Sequence, residues 1–126
     1  MKVEKFEPQR HYEMVAHWWV GHKWPVLPLA ALPASGFVVP GVCAGFLYFT
    51  DSEIAILEWV VSNPKASTME VGRGIKAIVE AAISTALNEG YSMIFSYVKS
   101  KGLQKLYERQ GFKVTDDNMT HVLWRA

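Results

Sequence analysis

The chain has 126 residues, half of them apolar and 13% aromatic, and thirteen Lys plus Arg face twelve Asp plus Glu for a formal net charge of +1. That is a single domain's length, 1–126, with enough apolar residues to bury a core, which excludes a disordered tail or a second domain. Near-balanced charge without a basic block removes the electrostatic footprint of a nucleic-acid binder.

Val3–Phe6 reads as a short first strand, and Pro8–Trp19 as a helix with proline in its first turn and Tyr12, Val15, Ala16 and Trp19 on one face. Glu4 and Glu7 interrupt any signal-peptide pattern. The stretch Trp24–Phe49 carries no charge, yet Pro25, Pro28, Pro33 and Pro40 alternate there with Gly36, Gly41 and Gly45. A membrane helix does not tolerate so many breaks, so no membrane partner is expected. Lys23–Gly36 reads as irregular with one helical turn. Phe37–Val39, Val42–Thr50 and Ile54–Val61 read as three antiparallel strands, punctuated by Pro40-Gly41 and Asp51-Ser52.

Ile75, Ile78, Val79, Ala82, Ile83 and Ala86 then form an apolar stripe at helical spacing, with Lys76, Glu80 and Ser84 opposite and Gly90 as a stop. Tyr91–Val98 is an apolar strand. Ser100 caps a second helix whose inner face is Leu103, Leu106 and Tyr107, ended by Gly111. Phe112–Val114 and Thr120–Trp124 are expected to close the chain as a hairpin. Strand 54–61, the helix to 88 and strand 91–98 make a β-α-β unit, so two strands run parallel through a right-handed crossover. The fold class is α/β with a mixed sheet, antiparallel strands first.

Cys43 is the single cysteine, which leaves no intrachain disulfide and no cysteine-based metal site; it reads as a small core residue in a cytoplasmic protein. His11, His17 and His22 are spaced by 6 and 5, which puts them on no common helical face, so no metal is expected. Trp18, Trp19 and Trp24 read as core or as a homodimer contact.

The loop before the long helix, Ser62 to Gly74, is where chemistry concentrates. Gly72 and Gly74 stand where a helix is starting, and each costs about 1 kcal/mol there relative to Ala. Two explanations fit. Bare amides at a helix N-terminus cradle phosphate, with Lys65 and Arg73 adding positive charge. Alternatively Ser67-x-x-Glu70 is a capping box and the glycines serve close packing. Glu70 repels phosphate.

Met69-x-x-Gly72-x-Gly74 resembles the Gln/Arg-x-x-Gly-x-Gly/Ala motif of the GNAT (Gcn5-related N-acetyltransferase) superfamily. Leu106-Tyr107-Glu108-Arg109-Gln110-Gly111-Phe112 is similar to that family's Leu-Tyr-Glu-x-x-Gly-Phe segment. The resemblance covers roughly residues 54–114 and extends to small phage-encoded members. The chain departs from the pattern at Met69, where the family has Gln or Arg, and at Ser100, where it commonly has a CoA-contacting Asn. The resemblance implies acetyl-CoA as cosubstrate in a cleft between the two parallel strands. It implies backbone groups of Val60, Val61 and Ser62 on the pantetheine arm, with an amide there facing the oxyanion, and amides of Gly72, Arg73 and Gly74 on the pyrophosphate. It further implies an amine acceptor, small molecule or peptide, that would attack the thioester directly. Tyr107 would protonate the departing thiolate, or else be a core aromatic. Glu58, the only charge inside Ile54–Val61, would take the amine's proton, or else point to solvent. The alternative is a catalytically inactive GNAT-fold binding or inhibitor module.

Overall fold

The computed structural model describes residues 1–126. Its elements in chain order are β1 (Glu4–Lys5), α1 (Pro8–Gly21), a 3-10 turn (Leu29–Ala31), β2 (Ser35–Val39), β3 (Cys43–Phe49), β4 (Ile54–Ser62), α2 (Thr68–Asn88), β5 (Met93–Ser96) and α3 (Lys101–Arg109). The five strands form one sheet in sequence order. β1 to β4 are antiparallel neighbours, and β4 pairs with β5 in parallel through the α2 crossover.

The two faces of this sheet carry separate cores. On one, Leu47, Ala55 and Leu57 pack under Ile75, Ile78, Val79, Ala82 and Ala86 of α2, with Tyr107 from α3. On the other, Val38, Ala44, Phe46 and Val61 pack under Val15, Trp18 and Trp19 of α1, with Phe6 and Leu27. The alternation along the strands explains the division, since neighbouring side chains point to opposite faces. The i, i+3, i+4 stripe of α2 sits on the first core as its period requires.

Glycine sets how closely α2 approaches. A Cβ on Gly74 would lie 2.7 Å from Cys43 Sγ and 2.8 Å from Val42 Cγ1, and one on Gly45 would lie 2.9 Å from Ile78 Cγ2. Cys43 is fully buried at this contact, and burial pushes its thiol up to about 12. It is the inert core residue its surroundings require.

The terminal hairpin is absent. No strand follows Ser96, and residues 112–126 form no regular element. Phe112 is instead tucked edge-on against Tyr107, 5.0 Å between ring centroids, its amide donating to the Tyr107 carbonyl at 3.1 Å. Val122, Leu123 and Trp124 stay exposed, while the neighbouring His121 packs on Tyr97 and Trp59.

Unequal roles for the two loop glycines follow. Gly74→Ala is expected to lower stability by about 1–3 kcal/mol through overpacking. Gly72→Ala, where an added Cβ meets nothing within 4 Å, is expected to raise it by up to about 1 kcal/mol through helix propensity. Urea unfolding of the two variants checks both signs.

Candidate active site

The parallel ladder between β4 and β5 is short. It runs from Ile54↔Met93 to Leu57↔Ser96 and stops. Beyond it β4 continues to Ser62 while β5 ends, so the strands part and leave a fork whose walls start at Glu58 and Tyr97.

A bulge accompanies the parting. Between the pairs Ala44↔Val61 and Phe46↔Glu58, β3 advances two residues while β4 advances three. The extra residue is accommodated at Trp59, whose φ is +55°. A bulky residue in the left-handed region is a costly backbone state, on the order of 1–3 kcal/mol, and such states persist where surroundings enforce them. The enforcement here is aromatic: Trp59 packs edge-on against Trp19 and Trp24, with centroids 6.1 and 6.2 Å apart. A bulge also resets side-chain alternation. Trp59 and Val61 both pack into the α1-side core, and Val60 packs into the other. Glu58, opposite Phe46, shares the α1 side with Trp59, so two consecutive side chains face the same way.

Glu58 is largely withdrawn from water, its side chain 16% exposed. Burial raises its carboxyl above the ordinary range, partly offset by His121 and by the Trp59 backbone amide. His121 Nε2 lies 3.7 Å from Glu58 Oε1. The carboxylate therefore does not point freely to solvent.

Tyr107 reaches the fork from the opposite face. Its side chain belongs to the α2-side core, and only 3% of the residue is exposed. Its hydroxyl is 3.2 Å from Ser96 Oγ, which in turn donates to the Leu57 carbonyl at 2.9 Å. Leu57 and Ser96 are the last ladder pair, so the phenol is anchored where the strands part. Burial raises its pKa, and Glu58 adds to this less strongly. The phenol is thus protonated throughout the neutral range, as a proton donor must be. Tyr107 is both a core aromatic and a fork residue.

The helix N-terminus departs from expectation. Gly72, Arg73 and Gly74 do not stand at the start of α2, which begins at Thr68. Ser67 caps it in a full capping box: Ser67 Oγ accepts the Glu70 amide at 3.2 Å, and Glu70 Oε1 accepts the Ser67 amide at 3.2 Å. Only the first four amides of a helix lack intrahelical partners. Amides 72–74 lie past them, so they are committed to the helix ladder and form no ready cradle. Gly74 is explained by packing. Gly72 is not, because its outer side is open. Arg73 is exposed and makes no ion pair.

The other residues singled out from sequence are scattered around this frame. Val61 and Ser62 still pair with β3, and His22, at the end of α1, holds the Ser62 carbonyl through Nε2 at 2.8 Å. Ser100 caps α3, accepting the Leu103 amide at 3.1 Å. His11 is buried with Nδ1 accepting the Glu7 amide, and His17 bonds the Glu13 carbonyl on the surface. No three His, Cys, Asp or Glu side chains are placed to share a metal ion. Sequence reasoning missed Trp59, Ser96 and His121. Trp59 and Ser96 carry no local signal, because bulge position and ladder length are properties of the assembled sheet.

No family model matches the chain, and no curated protein matches it in sequence. Solved structures do match. A Mycobacterium tuberculosis protein in complex with CoA superposes with a TM-score of 0.71 at 14% identity, over 95% of this chain and 76% of the other. A GNAT-family acetyltransferase from Streptococcus pneumoniae gives 0.65 at 15% identity, over 99% and 96% of the two chains. A Trypanosoma brucei acetyltransferase gives 0.62 at 16%, over 97% and 99%. The chain has the GNAT fold. Within that fold β4 and β5 pair only from Ile54↔Met93 to Leu57↔Ser96, and no helix is long and apolar enough to cross a membrane.

The raised carboxyl of Glu58 has a consequence for stability. A carboxyl whose pKa is higher folded than unfolded contributes stability below the unfolded value, and that contribution is lost as pH rises through the folded one. Glu58→Gln is therefore expected to match the parent's Tm near pH 4 and to exceed it increasingly toward pH 8. Thermal melts across that range check it; a gap independent of pH contradicts the assignment.

Proposed function

We propose that the protein is an acyl-CoA-dependent N-acetyltransferase in which acetyl-CoA enters the β4–β5 fork and an amine attacks its thioester directly. The single observation that carries this reading is the fork itself: a bulged β4 parting from β5 with a carboxylate on one side and a protonated phenol on the other. The CoA carried by the M. tuberculosis protein of the same fold supports it.

The chemistry needs two proton transfers, and each has a group. An amine arrives as ammonium and must lose a proton before its lone pair is available; Glu58, with its carboxyl raised by burial, is poised closer to neutral pH to take it. The lone pair forms the C–N bond while the C–S bond breaks, and the departing sulfur takes the Tyr107 proton. The second proton leaving nitrogen restores the phenol. Both reactants held at one fork replace a bimolecular encounter by an oriented one. Backbone groups of Val60 and Val61, beyond the end of the β5 ladder, would offer partners to the pantetheine amides and a donor to the oxyanion. The open flank of Gly72 gives the pyrophosphate room along the first turns of α2, with Arg73 adjacent.

One observation favours the second reading, a GNAT-fold binding module without turnover. The capping box sets the Glu70 carboxylate at the start of α2 and commits amides 72–74 to the helix, so pyrophosphate must displace Glu70 or settle for the amides of Thr68 and Met69.

Calorimetric titration with acetyl-CoA separates the two. Micromolar binding by the parent and none by Gly72→Glu, at a position where an added Cβ meets nothing within 4 Å and with the variant's fold checked by its thermal melt, supports the enzyme. No binding at millimolar acetyl-CoA supports the module. Given binding, Tyr107→Phe is expected to lower kcat by about 10²–10⁴ with little change in acetyl-CoA affinity, read as thiol release with saturating amine.

A further inference from the structure

The α1 side of the fork is walled by rings. Trp59 stands beside Glu58 because the bulge turns both to that side. Its indole is backed by Trp19 and Trp24. Tyr97, the first residue beyond the β5 ladder, is 55% exposed with no strand to cover it. One side chain fills the space between: His121, from the irregular C-terminal segment. Its imidazole stacks on Tyr97 at 5.2 Å and 20°, tilts against Trp59 at 5.7 Å and 49°, and sets Nε2 3.7 Å from Glu58.

We propose that this slot of Trp59, Tyr97 and Glu58 is the acceptor subsite, that it selects a compact cationic amine carried on a flat ring, and that His121 stands in it as an internal surrogate for that amine. The inference rests on the acetyltransferase reading and names the substrate class for it.

Three features of the slot point to this class. The carboxylate is partly desolvated, and a cation returns favourable interaction that water no longer supplies. Aromatic faces attract cations and stack on flat rings, and His121 is both a ring and, when protonated, a cation. The remaining polarity is sparse: no Lys or Arg pairs with Glu58, and Tyr48, whose hydroxyl donates to the Ala31 carbonyl at 3.0 Å, is already engaged. An amino sugar would need several polar groups for its hydroxyls, and an extended polyamine would need further carboxylates. The slot offers rings and one acid. His121 is a replaceable occupant: its side chain is 52% exposed and its segment has no ladder holding it down.

The test is a titration of the full chain, followed by tryptophan fluorescence and by NMR, with tyramine, histamine, spermidine and glucosamine. Tyramine and histamine are expected to bind about tenfold more tightly than the other two. His121→Ala is expected to tighten that binding several-fold by removing the competitor. Tyr97→Ala is expected to weaken it about tenfold, and both positions are exposed enough for the fold to survive. Equal or tighter binding of spermidine or glucosamine, or His121→Ala without effect, overturns the proposal. Acetyl transfer read separately distinguishes the two failures. Ring amines bound but never acetylated keep the slot and sink the enzyme reading; glucosamine acetylated without ring preference keeps the enzyme and sinks the slot.

Discussion

One extra residue in one strand organises this molecule. The bulge that holds Trp59 at positive φ bends β4 away from β5 after Leu57, and the fork follows from that bend. The same residue reverses the alternation, so that Glu58 and Trp59 share a side. The strain is held because Trp59's ring is wedged among Trp19 and Trp24, while Gly45 on β3, facing the bulge, leaves room for α2 to pack closely. Site and core thus depend on each other: the aromatic packing under α1 maintains the backbone state that the fork requires.

Two physical demands compete at the start of α2. A helix of 21 residues gains from a capping box that satisfies two of its free amides, and Ser67 with Glu70 supplies one. A phosphate site gains from leaving those amides bare and the neighbourhood positive. The structure resolves the conflict toward the helix, with Glu70 at its mouth and Arg73 reaching into solvent. Gly72 then stands out, because neither packing nor backbone conformation calls for glycine there. Its open flank is the part of the motif that the fold itself does not explain.

The titratable groups around the fork are tuned by burial more than by one another. Desolvation is the largest influence on both Glu58 and Tyr107, and it raises each. That moves a carboxylic acid toward neutral pH while keeping a phenol protonated, which suits opposite proton-transfer roles on the two sides of one strand. Ser96 ties the phenol to the last ladder pair, so the geometry of Tyr107 is set by the same point at which the sheet opens.

The elements were legible from sequence because their signals are local. The stripe on α2, the Pro40-Gly41 and Asp51-Ser52 punctuation between β2, β3 and β4, and the Ser100 cap each depend on neighbours a few residues away, and all three fall where periodicity and capping put them. The fold class followed from the order of those elements. Glu58 was legible as a lone charge in an apolar run, and Tyr107 as an inward helical position. What the chain alone did not disclose depends on partners distant in sequence. The closing hairpin does not form: Phe112 packs on Tyr107, and His121 packs on Tyr97 and Trp59. The choice between cradle and capping box at residues 67–74 was open on spacing, and the length of α2 decided it. The bulge at Trp59, the fork after Leu57 and the placement of His121 on Glu58 are set by register between strands and by the path of the tail. A side chain's period is written in its own segment, whereas register and contact are decided only when the segments meet.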